Sequence, residues 1–208
     1  MQSTIKQHWE KIYGSRRPDE MSWHKAHLQR SLEMIESTQI GRSAHILDVG
    51  GGVSTLVDDL LAHGYANVTV LDVSGAALDA ARVRLGGLAQ SVTWLEADIL
   101  QAQLPRDYYE VWHDRAVFHF LTQDADRRRY VEFVRKSVRP GGHVIIATFG
   151  PEGPEKCSNL VTRRYSSDQL RHEFGQGFEL LESVLELHMT PGGSEQQFVY
   201  CHCRRLPE

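Results

Sequence analysis

A chain of 208 residues with 41% hydrophobic and 24% charged residues has the make-up of a folded globular domain rather than a disordered segment. Its formal net charge of −4, from 23 Lys and Arg against 27 Asp and Glu, offers no bulk attraction to polyanions, so no nucleic-acid partner is expected. Apolar runs stay short of the roughly 20 residues that span a bilayer, and the opening residues lack a signal-peptide apolar region, so a cytoplasmic protein without membrane attachment is expected. Three cysteines cannot all pair with one another. The alternation Cys201-His202-Cys203 puts two thiols on one strand face, too few for a zinc set, so buried thiols and no bound metal are expected.

In chain order, Ile5–Gly14 and His27–Ile35 read as helices joined by a Pro-containing link, which makes residues 1–44 an N-terminal helical segment. From His45 to Phe149, short apolar runs alternate with helix-period segments: strands at His45–Val49, Val68–Val73, Val92–Asp98, Tyr108–Asp114 and His143–Phe149, helices at Ser54–Gly64, Gly75–Gly86 and Asp126–Val138. That order predicts a parallel sheet covered by helices, α/β in class, with 45–208 as one domain. Gly64 and Gly86-Gly87 punctuate helix ends, and Arg139-Pro140-Gly141-Gly142 reads as a turn into the fifth strand. Beyond a loop, Ser166 and Gln169 form a capping box for one more helix, and Phe178–Thr190 and Gln196–Arg205 read as an antiparallel hairpin.

The first strand runs into three glycines, Gly50, Gly51 and Gly52, and then a helix. Such a turn lets the backbone approach a ligand, and the helix N-terminus supplies unpaired N–H groups. The third glycine of the dinucleotide fingerprint is missing, so the turn alone decides little. Asp48, Asp72 and Asp98 fall at the carboxyl ends of three successive strands, where acids converge on one crevice. Asp72 is placed to accept from ribose hydroxyls and Asp98 from an adenine amino group, whereas each taken singly is more often a solvent-facing strand end or a helix cap.

Leu47–Gly52 (LDVGGG), Val70–Ser74 (VLDVS), Glu96–Ile99 (EADI) and Arg139–Phe149 with its trailing hairpin together resemble the class I S-adenosylmethionine-dependent methyltransferases, over roughly Trp9 to Arg204. The resemblance implies a Rossmann-like, doubly wound sheet of seven strands, mostly parallel, with the last strand antiparallel and an N-terminal helical lid. It also implies S-adenosylmethionine as cofactor and S-adenosylhomocysteine as product. The cofactor is then held by Asp48, Gly50, Gly51, Gly52, Ser54, Asp72, Val73, Asp98, Ile99 and His113, under a lid whose aromatic pair is Tyr13 and Trp23. A nicotinamide dehydrogenase would also use a glycine turn and a ribose acid, but it calls for neither Asp98 nor the hairpin.

Methyl transfer from a sulfonium asks chiefly for alignment, desolvation and an unprotonated nucleophile. The fourth strand delivers Trp112, His113, Asp114 and Arg115 to that end of the sheet, without the Asn/Asp-Pro-Pro-aromatic stretch used on amide or base amino groups. Asp114-Arg115 resembles the Asp-Lys-Gly-Thr block of a protein-lysine methyltransferase subgroup, with Ala116-Val117 departing from it. The same stretch resembles small bacterial methyltransferases of thiols and sulfide. His113, Asp114 and His119 are the candidate catalytic residues, open between base, anchor and packing. His24, Arg115, Phe118, Arg163 and Tyr165 are the expected acceptor wall, with Cys157 on the same loop as Arg163. The expectation is a methyltransferase of a small-molecule nucleophile, a thiol or sulfide being its sharpest form, in a monomer or homodimer; the alternative is a protein-lysine N-methyltransferase.

Overall fold

The computed structural model describes residues 2–15 and 17–207. Its main sheet contains seven strands in the order β3-β2-β1-β4-β5-β9-β8, namely β1 His45–Val49, β2 Asn67–Asp72, β3 Val92–Glu96, β4 Tyr109–Arg115, β5 Val138–Phe149, β8 Phe178–Met189 and β9 Glu195–Arg205. Strands β1 to β5 pair in parallel, and β9 alone runs against its neighbours β5 and β8. A two-residue ladder, β6 Lys156–Cys157 with β7 Leu160–Val161, stiffens the loop after β5. This is the expected doubly wound sheet with an antiparallel last strand.

Helices cover both faces, which explains why the central strands are apolar on both sides. On one face, Leu32 and Ile35 of α2 (Gln29–Ser37), Leu56 and Leu60 of α3 (Leu56–Ala62) and Leu78 of α4 (Gly75–Leu85) pack on Ile46, Val68 and Val111. On the other, Tyr130 and Val134 of α5 (Asp124–Ser137) and Leu170 and Phe174 of α6 (Ser167–Phe174) pack on Leu47, Val144 and Cys201. Cys201 and Cys203 both lie in this second layer, where burial pushes each thiol up to about 12. Ser74 caps α4 by accepting from Ala77 N at 3.2 Å, and the capping box of Ser166 and Gln169 opens α6 as expected.

One stretch differs from expectation: Arg139–Gly142 does not turn into β5 but lies within it. Val138 already pairs with Tyr109, and the register shifts before Val111 meets His143, so the proline falls on an irregular part of the ladder where no N–H is needed. Among the described residues no helix is long and apolar enough to cross a membrane.

The N-terminal helix α1 (Gln2–Ser15) crosses the carboxyl edge of the parallel strands. Glu10 fixes it there, accepting from Gly75 N at 2.8 Å and Ala76 N at 3.3 Å, and Lys6 pairs with Glu96. Unpaired amides at the start of α4 thus find a carboxylate on α1, a charge arrangement that a helix N-terminus favours.

Candidate active site

The carboxyl ends of β1, β2 and β4 converge on two adjoining cavities. The larger, about 950 Å³ of open space, is bounded on one side by Leu71, Asp72, Val73, Ala97, Asp98 and Ile99. The smaller, about 460 Å³, is lined by Asp48, Gly50, Gly51, Ser54, His113, His24 and Lys25, and both share Tyr13, Trp23 and Arg115. Gly50 takes φ +67°, a left-handed conformation that suits glycine, and a Cβ on Gly51 would lie 2.5 Å from Asp48 Oδ2 and 2.7 Å from Val70 Cγ1. The turn is therefore closed to side chains by its own acid and strand.

The acids differ in their satisfaction. Asp48 is buried, with Oδ1 2.7 Å from His113 Nδ1 and Oδ2 without a partner. His113 is fixed on its other side by Ser31 Oγ, 2.9 Å from Nε2. Asp72 accepts from Ser74 N at 2.9 Å, and burial with few compensating bonds pushes its carboxyl up to about 7. Asp98 accepts from Leu100 N at 2.9 Å and borders the larger cavity.

The far end of the larger cavity is aromatic. Trp9 and Tyr13 of α1 stack at 5.9 Å between centroids, and Trp9 meets Trp23 edge-on at 5.9 Å and Phe120 at 5.4 Å. Phe149, Phe198, Cys157, Val117 and Leu121 complete the wall. Arg115 crosses it: Nε donates to Tyr200 OH at 3.0 Å, Nη1 donates to Trp23 O at 3.1 Å, and the guanidinium lies 4.4 Å from the Phe198 ring centre.

Residues 46–142 match the methyltransferase domain family. The fold is shared by the solved 1,6-didemethyltoxoflavin-N1-methyltransferase of Burkholderia thailandensis, in complex with 1,6-didemethyltoxoflavin and S-adenosylhomocysteine, at a TM-score of 0.77 and 17% identity over 99% of this chain and 88% of that one. That stretch, from β1 into β5, is thus a methyltransferase domain on a fold shared with S-adenosylmethionine-dependent enzymes. A structure from work on the conversion of a disulfide bond into a thioacetal group during echinomycin biosynthesis superposes at a TM-score of 0.79, with 19% identity over 97% of this chain and 93% of the other. Human EEF1A lysine methyltransferase 2 is 22% identical over 203 residues, 90% of this chain and 80% of its own.

The site fits S-adenosylmethionine, the cofactor of the enzymes that share this fold. Asp72, buried and short of donors, suits a pair of ribose hydroxyls, and the free Asp48 Oδ2 suits an ammonium group. Val73 and Ile99 offer apolar surface on either side of the Asp72–Asp98 edge. When bound, the cofactor supplies the activated methyl group. The described residues supply the acids, the glycine turn and the aromatic cover.

The expected acceptor wall forms only in part. His24 and Arg115 border the cavities, as do Tyr13 and Trp23, but Phe118, His119, Arg163 and Tyr165 line neither. Phe118 and Tyr165 are fully buried and pack together at 5.8 Å, with Phe118 also against Tyr130 and Phe174, because the turn after β4 sends them into the helical layer. Arg163 points to Glu173, 3.3 Å from Nη2, and this ion pair holds it away from the cavities. His119 lies behind the wall between Phe120 and Phe149, accepting from Phe149 N at 3.3 Å, and burial drives its pKa down to about 3.

Asp114 is likewise engaged, accepting from Val117 N at 2.8 Å, Phe118 N at 3.1 Å and Tyr130 OH at 2.5 Å. Trp112 donates to the same Tyr130 hydroxyl from the core. Contributors not anticipated as site residues are Trp9, Phe149, Phe198 and the Ser31 hydroxyl behind His113. The Trp9–Tyr13 spacing of four on one helix face was the available signal for Trp9; the others arrive from distant strands and helices.

Proposed function

We propose that the chain is an S-adenosylmethionine-dependent methyltransferase that acts on a small nucleophile, in its sharpest form a thiol or sulfide, by in-line displacement inside the aromatic chamber. The observation that carries this reading is the chamber's composition. Its end beyond the strand-end acids is bounded by Trp9, Tyr13, Trp23, Phe120, Phe149 and Phe198 under α1, and among the described residues the only carboxylates bordering the larger cavity are Asp72 and Asp98. A lysine acceptor must enter as an ammonium ion and lose a proton, which calls for an acid or neutral base at the methyl group. Asp114 and His119, the nearest candidates by sequence, are held by backbone amides and the core. A thiolate needs only a dry pocket and one fixed polar contact.

The similarity to human EEF1A lysine methyltransferase 2 supports a second reading, a protein-lysine N-methyltransferase, because it extends over 90% of this chain. The two separate in one assay. S-adenosylhomocysteine release is measured with sulfide and simple thiols, and in parallel with unmodified lysine-rich proteins. Turnover with the thiols supports the small-acceptor reading; turnover confined to the proteins replaces it with the lysine reading.

A further inference from the structure

Arg115 is partly buried at the chamber wall and has no countercharge: among the described residues no carboxylate lies within ion-pair reach of it. Nε and Nη1 are fixed by neutral oxygens of Tyr200 and Trp23, and one face rests on Phe198. Nη2 is buried with no hydrogen-bond partner. A charged donor left without an acceptor in such a place is costly, so its partner is expected to arrive from outside the chain. Nearby cations in the smaller cavity are better served, since Lys25 pairs with Glu186 at 2.5 Å.

We propose that Arg115 anchors a carboxylate on the acceptor, which makes the substrate class a small thiol acid. This deepens the small-acceptor reading and rests on it. Among the described residues Arg115 is the sole cation bordering the larger cavity, and its stacking partner Phe198 borders that cavity and not the smaller one. The fork of a guanidinium matches a carboxylate in its plane, and two of its three nitrogens are already immobilised, so the remaining edge has one direction to offer. Cys157 on the same wall has its thiol pushed up to about 11 by burial, only partly offset by hydrogen bonds with Ser158 and Ser22 and, least, by Arg115, so it stays protonated and does not compete as the anion.

In the reaction, the substrate thiol first gives its proton to solvent. The thiolate's electron pair then forms the new S–CH3 bond while the cofactor's sulfonium–methyl bond breaks and returns its pair to the cofactor sulfur. The carboxylate is unchanged throughout and serves as a handle.

The test compares 3-mercaptopropionate, its uncharged amide and the cationic cysteamine as acceptors for the wild-type, Arg115→Met and Arg115→Lys enzymes. Calorimetry of 3-mercaptopropionate and the amide on the S-adenosylhomocysteine complex gives a readout independent of turnover. Expected is a kcat/KM at least about tenfold higher for the acid than for the amide, with cysteamine poorest; the ratio falls towards unity in Arg115→Met and partway in Arg115→Lys. Equal use of acid and amide by the wild type overturns the anchor and leaves the small-acceptor reading standing. Loss of S-adenosylhomocysteine affinity in both variants, matching the loss of acid binding, gives Arg115 to the cofactor's carboxylate and also overturns it. Absence of both turnover and acid binding with every thiol removes the inference together with the reading beneath it.

Discussion

His113 Nδ1 lies 2.7 Å from Asp48 Oδ1 at the floor of the smaller cavity, and both side chains are almost fully buried. A carboxylate only accepts, so the imidazole donates here and turns its other nitrogen to Ser31. His113 therefore holds the acid beneath the glycine turn and joins it to α2. Replacing His113 with Phe leaves Asp48 buried with neither oxygen paired, and a loss of about 3 kcal/mol in folding stability is expected from urea unfolding. A change below about 0.5 kcal/mol, as at ordinary surface sites, would show that the pair does not hold the floor together.

Asp72 should impose a pH dependence on cofactor affinity. Its carboxyl, ordinarily near 3.8, is raised to about 7 by burial in the ligand-free fold. Between those values the folded chain holds a proton that the unfolded chain has released, so this group makes the ligand-free protein less stable as pH rises from about 4 to 7. Ribose hydroxyls donate to the ionised form, so cofactor affinity should rise with pH and level off above about 7, with roughly a tenfold deficit at one pH unit below. Asp72→Asn should bind more weakly and with a flat profile; a wild-type profile that is flat from pH 5 to 8 would remove Asp72 from ribose binding.

Asp114 is expected to act on structure. Burial raises its carboxyl to about 6, against the hydrogen bonds from Tyr130, Val117 and Phe118 that favour the ionised form. Asp114→Asn should cost about 1–3 kcal/mol of stability by weakening that set. The pH dependence of kcat should keep its shape in the variant. A vanished acidic limb would instead make Asp114 a proton acceptor in the reaction.

Helix α1 is tied over the site by Glu10 at the start of α4, directly after Asp72 and Ser74. Glu10→Gln keeps the size of the side chain but weakens two charge-assisted bonds, each stronger than a neutral one. Stopped-flow release of S-adenosylhomocysteine should be faster by about 5- to 30-fold, corresponding to roughly 1–2 kcal/mol less hold on the closed helix. An unchanged release rate would mean that α1 need not move for the product to leave.

The sheet and the gathering of Asp48, Asp72 and Asp98 at one edge of it were legible because they depend on local pattern. Apolar runs, glycines and strand-end aspartates recur in chain order, and parallel strands bring their carboxyl ends to one edge. The acceptor half was less legible, since it depends on which way a short turn faces. The 3-10 turn Phe118–Phe120 sends Phe118 and His119 inward and Phe120 to the cavity, a distinction that residue type does not encode. Arg163 and Arg115 are indistinguishable as isolated cations in sequence; only the folded chain gives Glu173 to one and leaves the other without an acid. Phe198 and Ser31 reach the site from β9 and α2, 83 and 82 residues from Arg115 and His113 respectively, and no local pattern joins them.

The most direct test of the central claim follows the methyl group itself. S-adenosylmethionine labelled in the methyl group is incubated with the enzyme and whole-cell extract, and the product is separated by ultrafiltration into filtrate and retained protein. Enzyme-dependent label is expected in the filtrate, in a compound that carries the new methyl on sulfur. Label found only on retained protein, at lysine side chains, would contradict it.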